Sequence, residues 1–152
     1  MDTLFEGATI LADLEANSKR RALQSLAERM AMDHEIDADI IMHHLLEREQ
    51  LGATGVGGGV AMPHGRIKGL KRIAVGFARL AEPVEYEGPD GAPVDLIILL
   101  LAPEEAGATC LKALSKASRT LRVESIRAEL RAAHDENAIR TILNRGNEAR
   151  AA

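Results

Sequence analysis

The longest apolar segment of the chain does most to limit the folds open to it. Residues 94–101 read Val-Asp-Leu-Ile-Ile-Leu-Leu-Leu, with Asp95 as the single polar interruption, and Pro103 follows shortly after. A run this short and this apolar is typical of a strand buried on both faces of a sheet. It is far below the roughly 20 residues that a membrane-spanning helix needs. We therefore predict that residues 94–101 form the central strand and that Pro103 ends it.

Two further strands are predicted earlier in the chain. Residues 8–12 form a short apolar run, and residues 72–80 are nearly all apolar or small. A Gly-Pro-Asp-Gly turn signal within residues 87–91 separates the second of these from the central strand. Because residues 72–80 lack polar alternation, we expect this strand to be covered on both faces.

Five segments show the apolar spacing of amphipathic helices. Ser18 and Asp37 are candidate N-caps for the first two, and the second helix should end before Gly52. Its predicted apolar face carries Ile40, Ile41, His44 and Leu45. The other three helices are expected at 109–121 with Leu111, Leu114 and Leu121 inward, at 123–133, and from Asp135 onward. Helices, then strands, then helices predict an α/β fold, a layered domain with a central mixed β-sheet flanked by helices.

The composition fits one domain and argues against several functions. A chain of 152 residues, 46% hydrophobic and 28% charged, can bury a core without metals or disulfides. We assign residues 1–145 to a single domain and 146–152 to a frayed C-terminal tail. A net charge of -4 and 2% aromatic residues argue against nucleic-acid binding. Because no signal-peptide pattern or membrane-length run is present, we expect a cytoplasmic protein without membrane insertion.

His64 lies near the end of a glycine-dense segment, residues 52–66. Five glycines before it and Gly65 after it let the backbone turn and approach a ligand closely. Residues 60–62 read as a short strand that Pro63 ends, fixing the backbone just before the imidazole. The segment lacks the Gly-Lys-Ser/Thr ending of a P-loop and the plan of a dinucleotide-binding turn. It is either a flexible surface loop or an anion-binding nest that presents His64 as a nucleophile toward phosphorus.

The segment from Arg48 to Gly65 reads Arg-Glu-x-x-Gly-x-Thr-Gly-x-Gly-x-Gly-x-Ala-x-Pro-His-Gly. This pattern resembles the signature of the type 2 enzyme IIA domains of the bacterial phosphoenolpyruvate-dependent phosphotransferase system, in particular the nitrogen-regulatory (PtsN-like) branch. The similarity continues through residues 93–96, 101–103 and 111–115, and so covers almost the entire chain. It implies the enzyme IIA mannitol/fructose-type fold.

The resemblance also implies roles for residues of this segment. His64 would accept a phosphoryl group from an HPr-like phosphocarrier protein of the NPr type, and its phosphorylation state would set the binding of regulatory target proteins. The chain would then be a phosphoryl carrier rather than a free-standing turnover enzyme, with no cofactor and no metal. The candidate phosphate-binding loop consists of Thr54, Gly55, Gly57, Gly59 and Gly65.

Arg48 matches the family arginine near the phosphorylated histidine. It lies four residues beyond His44 and continues that helical stripe toward the glycine segment. A planar guanidinium can bind two phosphoryl oxygens at once, so Arg48 is a candidate phosphate clamp. A favourable contact with the helix C-terminus is the alternative. Glu49 either holds Arg48 in place or is an exposed carboxylate.

Cys110 departs from the family pattern. It stands where relatives usually have a second histidine close to the phosphorylated one. A cysteine cannot hold a positive charge against a phosphoryl group, so the substitution bears on the lifetime of a phosphohistidine and on onward transfer. Cys110 falls in the first turn of its predicted helix, where unpaired N–H groups favour a lowered thiol pKa. A small, half-buried hydrophobe is the alternative interpretation.

Other residues and functions stay open. Val56, Met62, Ile67 and Leu70 flank His64 and either form an apolar docking surface for the carrier or fill the core. The remaining histidines have no spacing suited to a metal. The alternative functions are a protein-interaction module without phosphotransfer, a sugar-specific carrier domain of fructose or mannitol type, and a Cys–His hydrolase without an evident third residue.

Overall fold

Six strands form one mixed sheet, and five helices cover its two faces. The computed structural model describes residues 4–151, with side chains as far as Asn147. The elements are β1 (Thr9–Leu14), α1 (Lys19–His34), α2 (Ala38–Leu51), β2 (Gly55–Gly57), β3 (Val60–Ala61), β4 (His64–Ile67), β5 (Ala74–Val84), β6 (Val94–Pro103), α3 (Gly107–Arg122), α4 (Glu124–Ala132) and α5 (Glu136–Ala151). The predicted α/β fold with a central mixed sheet is confirmed.

Strand β6 is central, as its apolar run predicts. It pairs antiparallel with β5 along one edge and parallel with both β3 and β4 along the other. Strand β1 extends the sheet beyond β5, and β2 extends it beyond β3. Because successive side chains point to opposite faces of a strand, β6 contributes to two cores. Ile97, Leu99 and Leu101 pack with α1 and α2, whereas Leu96, Ile98 and Leu100 pack with the three C-terminal helices.

Pro63 separates two strands that lie on the same edge of β6. The proline has no N–H to donate, but its carbonyl accepts a hydrogen bond of 3.0 Å from the Leu100 N–H. His64 then opens β4, paired in register with Leu100. The chain therefore continues along β6 after the proline, and His64 stands on a strand rather than in a flexible surface loop, which was one of the two interpretations of this segment.

The predicted caps of the first two helices are confirmed, but part of the inward-facing set is wrong. The Ser18 hydroxyl accepts from the Arg21 N–H, and the Asp37 carboxylate accepts from the Asp39 N–H. Leu111 is 68% exposed, because α3 turns a neighbouring stripe inward. That stripe consists of Cys110, Ala113, Ala117, Thr120 and Leu121. Ile40 is likewise exposed on α2.

The last helix extends into residues 146–151, part of the segment expected to form a frayed tail. Helix α5 continues to Ala151, and both Gly146 and Asn147 are buried. A Cβ atom at Gly146 would lie 3.1 Å from side-chain carbons of Ile126 and Thr120, so α5 passes close to α3 and α4 here. This close packing explains why the helix persists past Leu143. Within residues 4–151, no helix is long and apolar enough to cross a membrane.

Candidate functional site

An open cleft of about 730 Å³ lies where the end of α2, strand β4 and the start of α3 meet. Helix α2 contributes Arg48 to its wall, β4 contributes residues 64–66, and α3 contributes Cys110. The close approach of α2 to β4 depends on Gly65, because a Cβ atom there would lie only 3.2 Å from the Cβ of His44. The structure thus brings together the three predicted site residues that lie far apart in the sequence.

Both ring nitrogens of His64 are engaged. Its Nδ1 lies 3.0 Å from the carbonyl oxygen of Met62, and its Nε2 lies 3.2 Å from the Nε of Arg48. A carbonyl can only accept, so Nδ1 carries the hydrogen; a guanidinium can only donate, so Nε2 offers its lone pair. The two contacts therefore fit the tautomer with the hydrogen on Nδ1 and the lone pair on Nε2, which faces Arg48 at the wall of the cleft.

Arg48 reaches His64 from the last turn of α2. Its Nη1 also donates to the carbonyl oxygen of Gly52 at 2.8 Å. Gly52 is the residue directly after the end of α2. The contact with the helix end is therefore present, and the same guanidinium also contacts the imidazole, while the role of Arg48 as a phosphate clamp stays a prediction. The hydrogen bond to Gly52 fixes the side chain beside Nε2.

Glu49 faces away from the cleft and does not hold Arg48. Its carboxylate accepts from the Lys19 ammonium at 2.8 Å, from the Tyr86 hydroxyl at 2.9 Å, and from both the N–H and the hydroxyl of Thr54. Burial alone raises the pKa of this carboxyl, but the hydrogen bonds from Lys19, Thr54 and Tyr86 outweigh burial and lower it. The pKa of the Tyr86 phenol is raised well above its usual range by burial and by the neighbouring Glu49 carboxylate.

The glycines before His64 form a hairpin rather than a wall of the cleft. Strands β2 and β3 pair antiparallel, and the turn between them has positive φ at Gly57, Gly58 and Gly59. The tip is held by the Asp90 carboxylate, which accepts from the Gly58 N–H at 3.0 Å, and by Arg131, which donates to the Gly58 carbonyl at 2.8 Å. Of the predicted phosphate-binding loop, Gly65 lines the cleft, whereas Thr54, Gly55, Gly57 and Gly59 lie outside it.

Cys110 lines the cleft from the first turn of α3 and is buried. The expected lowering of its thiol pKa is wrong. Burial raises the pKa of the Cys110 thiol, and the nearby Arg66 guanidinium offsets this only in part. The Cys110 N–H is already bonded to the Ala106 carbonyl at 2.8 Å, so it is not free to bind a thiolate.

Arg66 is a cleft residue that the sequence reasoning missed. It is exposed, lines the cleft and forms no hydrogen bond or ion pair within the described part of the chain. The feature that could have identified Arg66 is its spacing of two residues from His64, because residues two apart on a strand share a face. Because β4 was not predicted, the pairing of Arg66 with His64 on one strand could not be recognised.

The proposed apolar docking residues mostly belong to the core. Met62 and Ile67 are buried on opposite sides of the sheet, and Leu70 is half-buried against the α1–α2 core. Val56 is exposed, but on the hairpin. The rim of the cleft is instead apolar at Leu51 and Leu111, which are 86% and 68% exposed.

Other histidines near the cleft have carboxylate neighbours. The rings of His43 and His44 meet edge to face with centroids 5.5 Å apart, and both lie within 4 Å of the Glu47 carboxylate. Across residues 4–151, no three His, Cys, Asp or Glu side chains are grouped so as to hold a metal ion.

Comparison with known proteins places the chain and its fold in a family. Residues 3–146 match the family model described as phosphoenolpyruvate-dependent sugar phosphotransferase system, EIIA 2. The nitrogen regulatory protein of Bradyrhizobium diazoefficiens is 48% identical over 134 residues, which are 88% of each chain.

Solved structures agree with this match. The nitrogen regulatory protein IIA-Ntr from Neisseria meningitidis superposes with a TM-score of 0.83 at 36% identity, covering 90% of this chain and 93% of that one. The IIA mannitol structure from Escherichia coli, at 20% identity, shares the fold with a TM-score of 0.76, covering 89% and 95%. The chain belongs to the EIIA 2 family of the phosphoenolpyruvate-dependent sugar phosphotransferase system and resembles its nitrogen regulatory members.

Proposed function

We propose that this protein is a regulatory phosphocarrier of the nitrogen-related phosphotransferase system and that His64 is its phosphoryl acceptor. The observation that carries the proposal is the pair of contacts on the imidazole. The Met62 carbonyl fixes the hydrogen on Nδ1, and Nε2 lies in the open cleft beside the Arg48 guanidinium. Membership in a phosphotransferase family supports a phosphorylated carrier protein as the donor. We propose that this carrier is an HPr-like protein of NPr type and that the transfer takes place in the cytoplasm.

The transfer is an in-line displacement between two histidines. The Nε2 lone pair of His64 forms a new N–P bond as the N–P bond of the carrier's phosphohistidine, protonated on its other ring nitrogen, breaks. The carrier's imidazole leaves with that electron pair as a neutral ring, and His64 keeps its hydrogen on Nδ1. The three phosphoryl oxygens stay on phosphorus, and no water enters. As phosphorus approaches Nε2, the Arg48 donor that now bonds the lone pair turns to a phosphoryl oxygen, and the Gly52 carbonyl keeps the guanidinium within reach.

The rim of the cleft suits a protein donor. Leu51 and Leu111 stand exposed on either side of the cleft that holds His64. Large apolar side chains exposed next to a charged site are typical of a protein-binding surface. We assign these two leucines to the docking of the carrier. Phosphorylation would add about two negative charges between them, which changes the surface that a regulatory target meets.

The decisive experiment is phosphoryl transfer with defined components. The purified chain is incubated with phosphoenolpyruvate, enzyme I and an HPr-like carrier, and intact mass and acid lability of the adduct are measured. We expect one acid-labile phosphoryl group on the wild type and on His44→Ala, a matched control in the same cleft. His64→Ala should carry none. Label that persists on His64→Ala would show that another residue is the acceptor.

A protein-interaction module without phosphotransfer is the second candidate, favoured by Cys110 at the place of the family's second histidine. An unlabelled wild type, with a carrier that labels a known family member, would establish it. The Cys–His hydrolase is disfavoured by the raised thiol pKa of Cys110, because the thiol and not the reactive thiolate predominates near neutral pH.

A further inference from the structure

We propose that Arg66 binds the phosphoryl group carried on His64 and supplies the positive charge that Cys110 cannot. The inference rests on the proposed function of His64 and adds a second cation to its site. The first observation is placement. His64 and Arg66 are two residues apart on β4, and their register with Leu100 and Ala102 of the central strand fixes both backbones.

Side chains two apart on a strand point to the same side, with Cα atoms about 7 Å apart. At that separation, the imidazole and the longer guanidinium side chain can both contact one phosphoryl group. Both residues line the same cleft. Arg48 approaches Nε2 from α2, so Arg66 provides a second cation from the strand itself.

The second observation is that Arg66 has no acceptor. Two other arginines near the hairpin and the sheet have internal acceptors. Arg79 donates to the Leu130 carbonyl and to Asp13, and Arg131 pairs with Asp95. No described carboxylate lies within ion-pair distance of Arg66, although Glu104 lines the same cleft. An exposed guanidinium beside a nucleophile, with no internal partner, is free to bind an anion.

The third observation joins Arg66 to the place of the missing histidine. Its Nη2 would lie 3.5 Å from a Cβ atom built at Gly107, so the guanidinium rests against the first turn of α3. The charge of Arg66 acts on the Cys110 thiol in the same turn. The N-cap residue of this 16-residue helix, Ala106, has no side-chain acceptor for the first N–H groups of α3. The N-terminal end of α3 therefore also favours an anion.

The test is the equilibrium of phosphoryl exchange between the carrier and this protein. Because the equilibrium constant depends only on the separated proteins in their two phosphorylation states, a change in docking alone cannot alter it. Wild type, Arg66→Gln, Arg66→Lys and Lys112→Gln are each mixed with phosphorylated carrier, and both phosphoproteins are quantified by intact mass. Lys112 is an exposed α3 residue outside the cleft, so its variant makes the same charge change away from the site.

We expect Arg66→Gln to shift the equilibrium about ten-fold toward phosphorylated carrier, the effect of losing one charge-assisted contact. Arg66→Lys should recover part of this shift, and Lys112→Gln should match the wild type. An exposed side chain without partners allows all four proteins to fold, which urea unfolding verifies.

Two outcomes overturn the inference and are distinct from failure of the proposed function. If Arg66→Gln changes the rate of exchange but leaves the equilibrium at the wild-type position, Arg66 is a docking residue. If Lys112→Gln shifts the equilibrium as much as Arg66→Gln does, net charge is responsible. A wild type that takes no phosphoryl group overturns the proposed function itself.

Discussion

Arg48 and Glu49 are neighbours in the last turn of α2, yet their side chains face different environments. Arg48 faces an open cleft that His64 and Arg66 also line, and there it donates to the Nε2 of His64. Glu49 faces inward, where its carboxylate accepts from three side chains and its own side chain is 7% exposed. Successive residues differ by about 100° around a helix, which is enough to separate the two environments.

The difference separates groups that stabilise the structure around the site from groups that we propose take part in phosphoryl transfer. The network of Glu49, Lys19, Thr54 and Tyr86 joins α1, α2, the glycine segment and the loop after β5, and its polar groups satisfy one another. The cleft retains two guanidinium groups with few internal acceptors. We therefore expect changes in the network to lower stability and changes in the cleft to lower phosphotransfer.

The largest effect should follow from Glu49→Ala. It leaves the Lys19 ammonium and the hydroxyls of Thr54 and Tyr86 without their shared acceptor, which should cost about 3 kcal/mol of unfolding free energy. Urea unfolding measures this value. The control is Glu47→Ala, an exposed carboxylate in the same helix, which should stay within about 0.5 kcal/mol of the wild type. A loss below 1 kcal/mol for Glu49→Ala would contradict a structural role of the network.

Arg48→Gln should have the converse effect. Removing the guanidinium from Nε2 should slow phosphoryl acceptance about 30-fold, equivalent to about 2 kcal/mol, because one charge-assisted contact to the transferring group is lost. Stability should change by less than about 1 kcal/mol, since the bond to the Gly52 carbonyl is partly exposed. Initial rates of labelling and urea unfolding on the same sample provide both values. If Arg48→Gln lowered the unfolding free energy by as many kcal/mol as it raised the barrier to labelling, the cleft and the network would not have separate roles.

The pH dependence of stability should reveal the network on its own. The pKa of Glu49 in the folded protein is lowered from its ordinary value of 4.5. Its charge therefore stabilises the fold above about that value, and the contribution is lost as the pH falls through the lowered pKa. We expect the stability difference between wild type and Glu49→Gln to be greatest above pH 5 and to narrow in more acidic urea titrations. A difference that widens toward low pH would have the wrong sign.

Cys110→His should have the smallest effect. It places a histidine where the family resemblance implies one, but Arg66 already places a positive charge near this position. In the wild-type background, we expect Cys110→His to lengthen the lifetime of the phosphohistidine about two- to three-fold. In the Arg66→Gln background, the same change should lengthen the lifetime by a larger factor. Acid-quenched decay of the label measures the lifetime. Equal gains in the two backgrounds would show that the residues act independently.

The sequence predicted the sheet and helices well, because their apolar periods are long and clear. Residues 94–101 are central in the structure as predicted, and Ser18 and Asp37 cap their helices. The contacts that assemble the site were harder to predict. Glycine composition did not reveal that residues 55–61 form a hairpin, because the turn depends on distant partners, Asp90 and Arg131.

Short elements and helix rotation account for the other differences. Strand β4 has four residues and follows a proline, so no local pattern marks it, and Arg66 stayed unrecognised. Leu111 and Cys110 are adjacent, and the small Cys110 is buried while the larger Leu111 is exposed. Size and hydrophobicity favoured the opposite arrangement, but the packing of α3 against the sheet decides which stripe turns inward.

The buried network has one more consequence, for spectroscopy. The chain has no tryptophan and one tyrosine, so its ultraviolet emission comes almost entirely from Tyr86. That phenol donates to the Glu49 carboxylate and lies under the Lys19 ammonium, 4.3 Å from the ring centre. The fluorescence of the unlabelled protein therefore reports on the junction of α1, α2 and the glycine segment. Binding in the cleft changes this signal only when it disturbs that junction, so a change in emission on phosphorylation or partner binding would show that the effect extends from the cleft to the buried network.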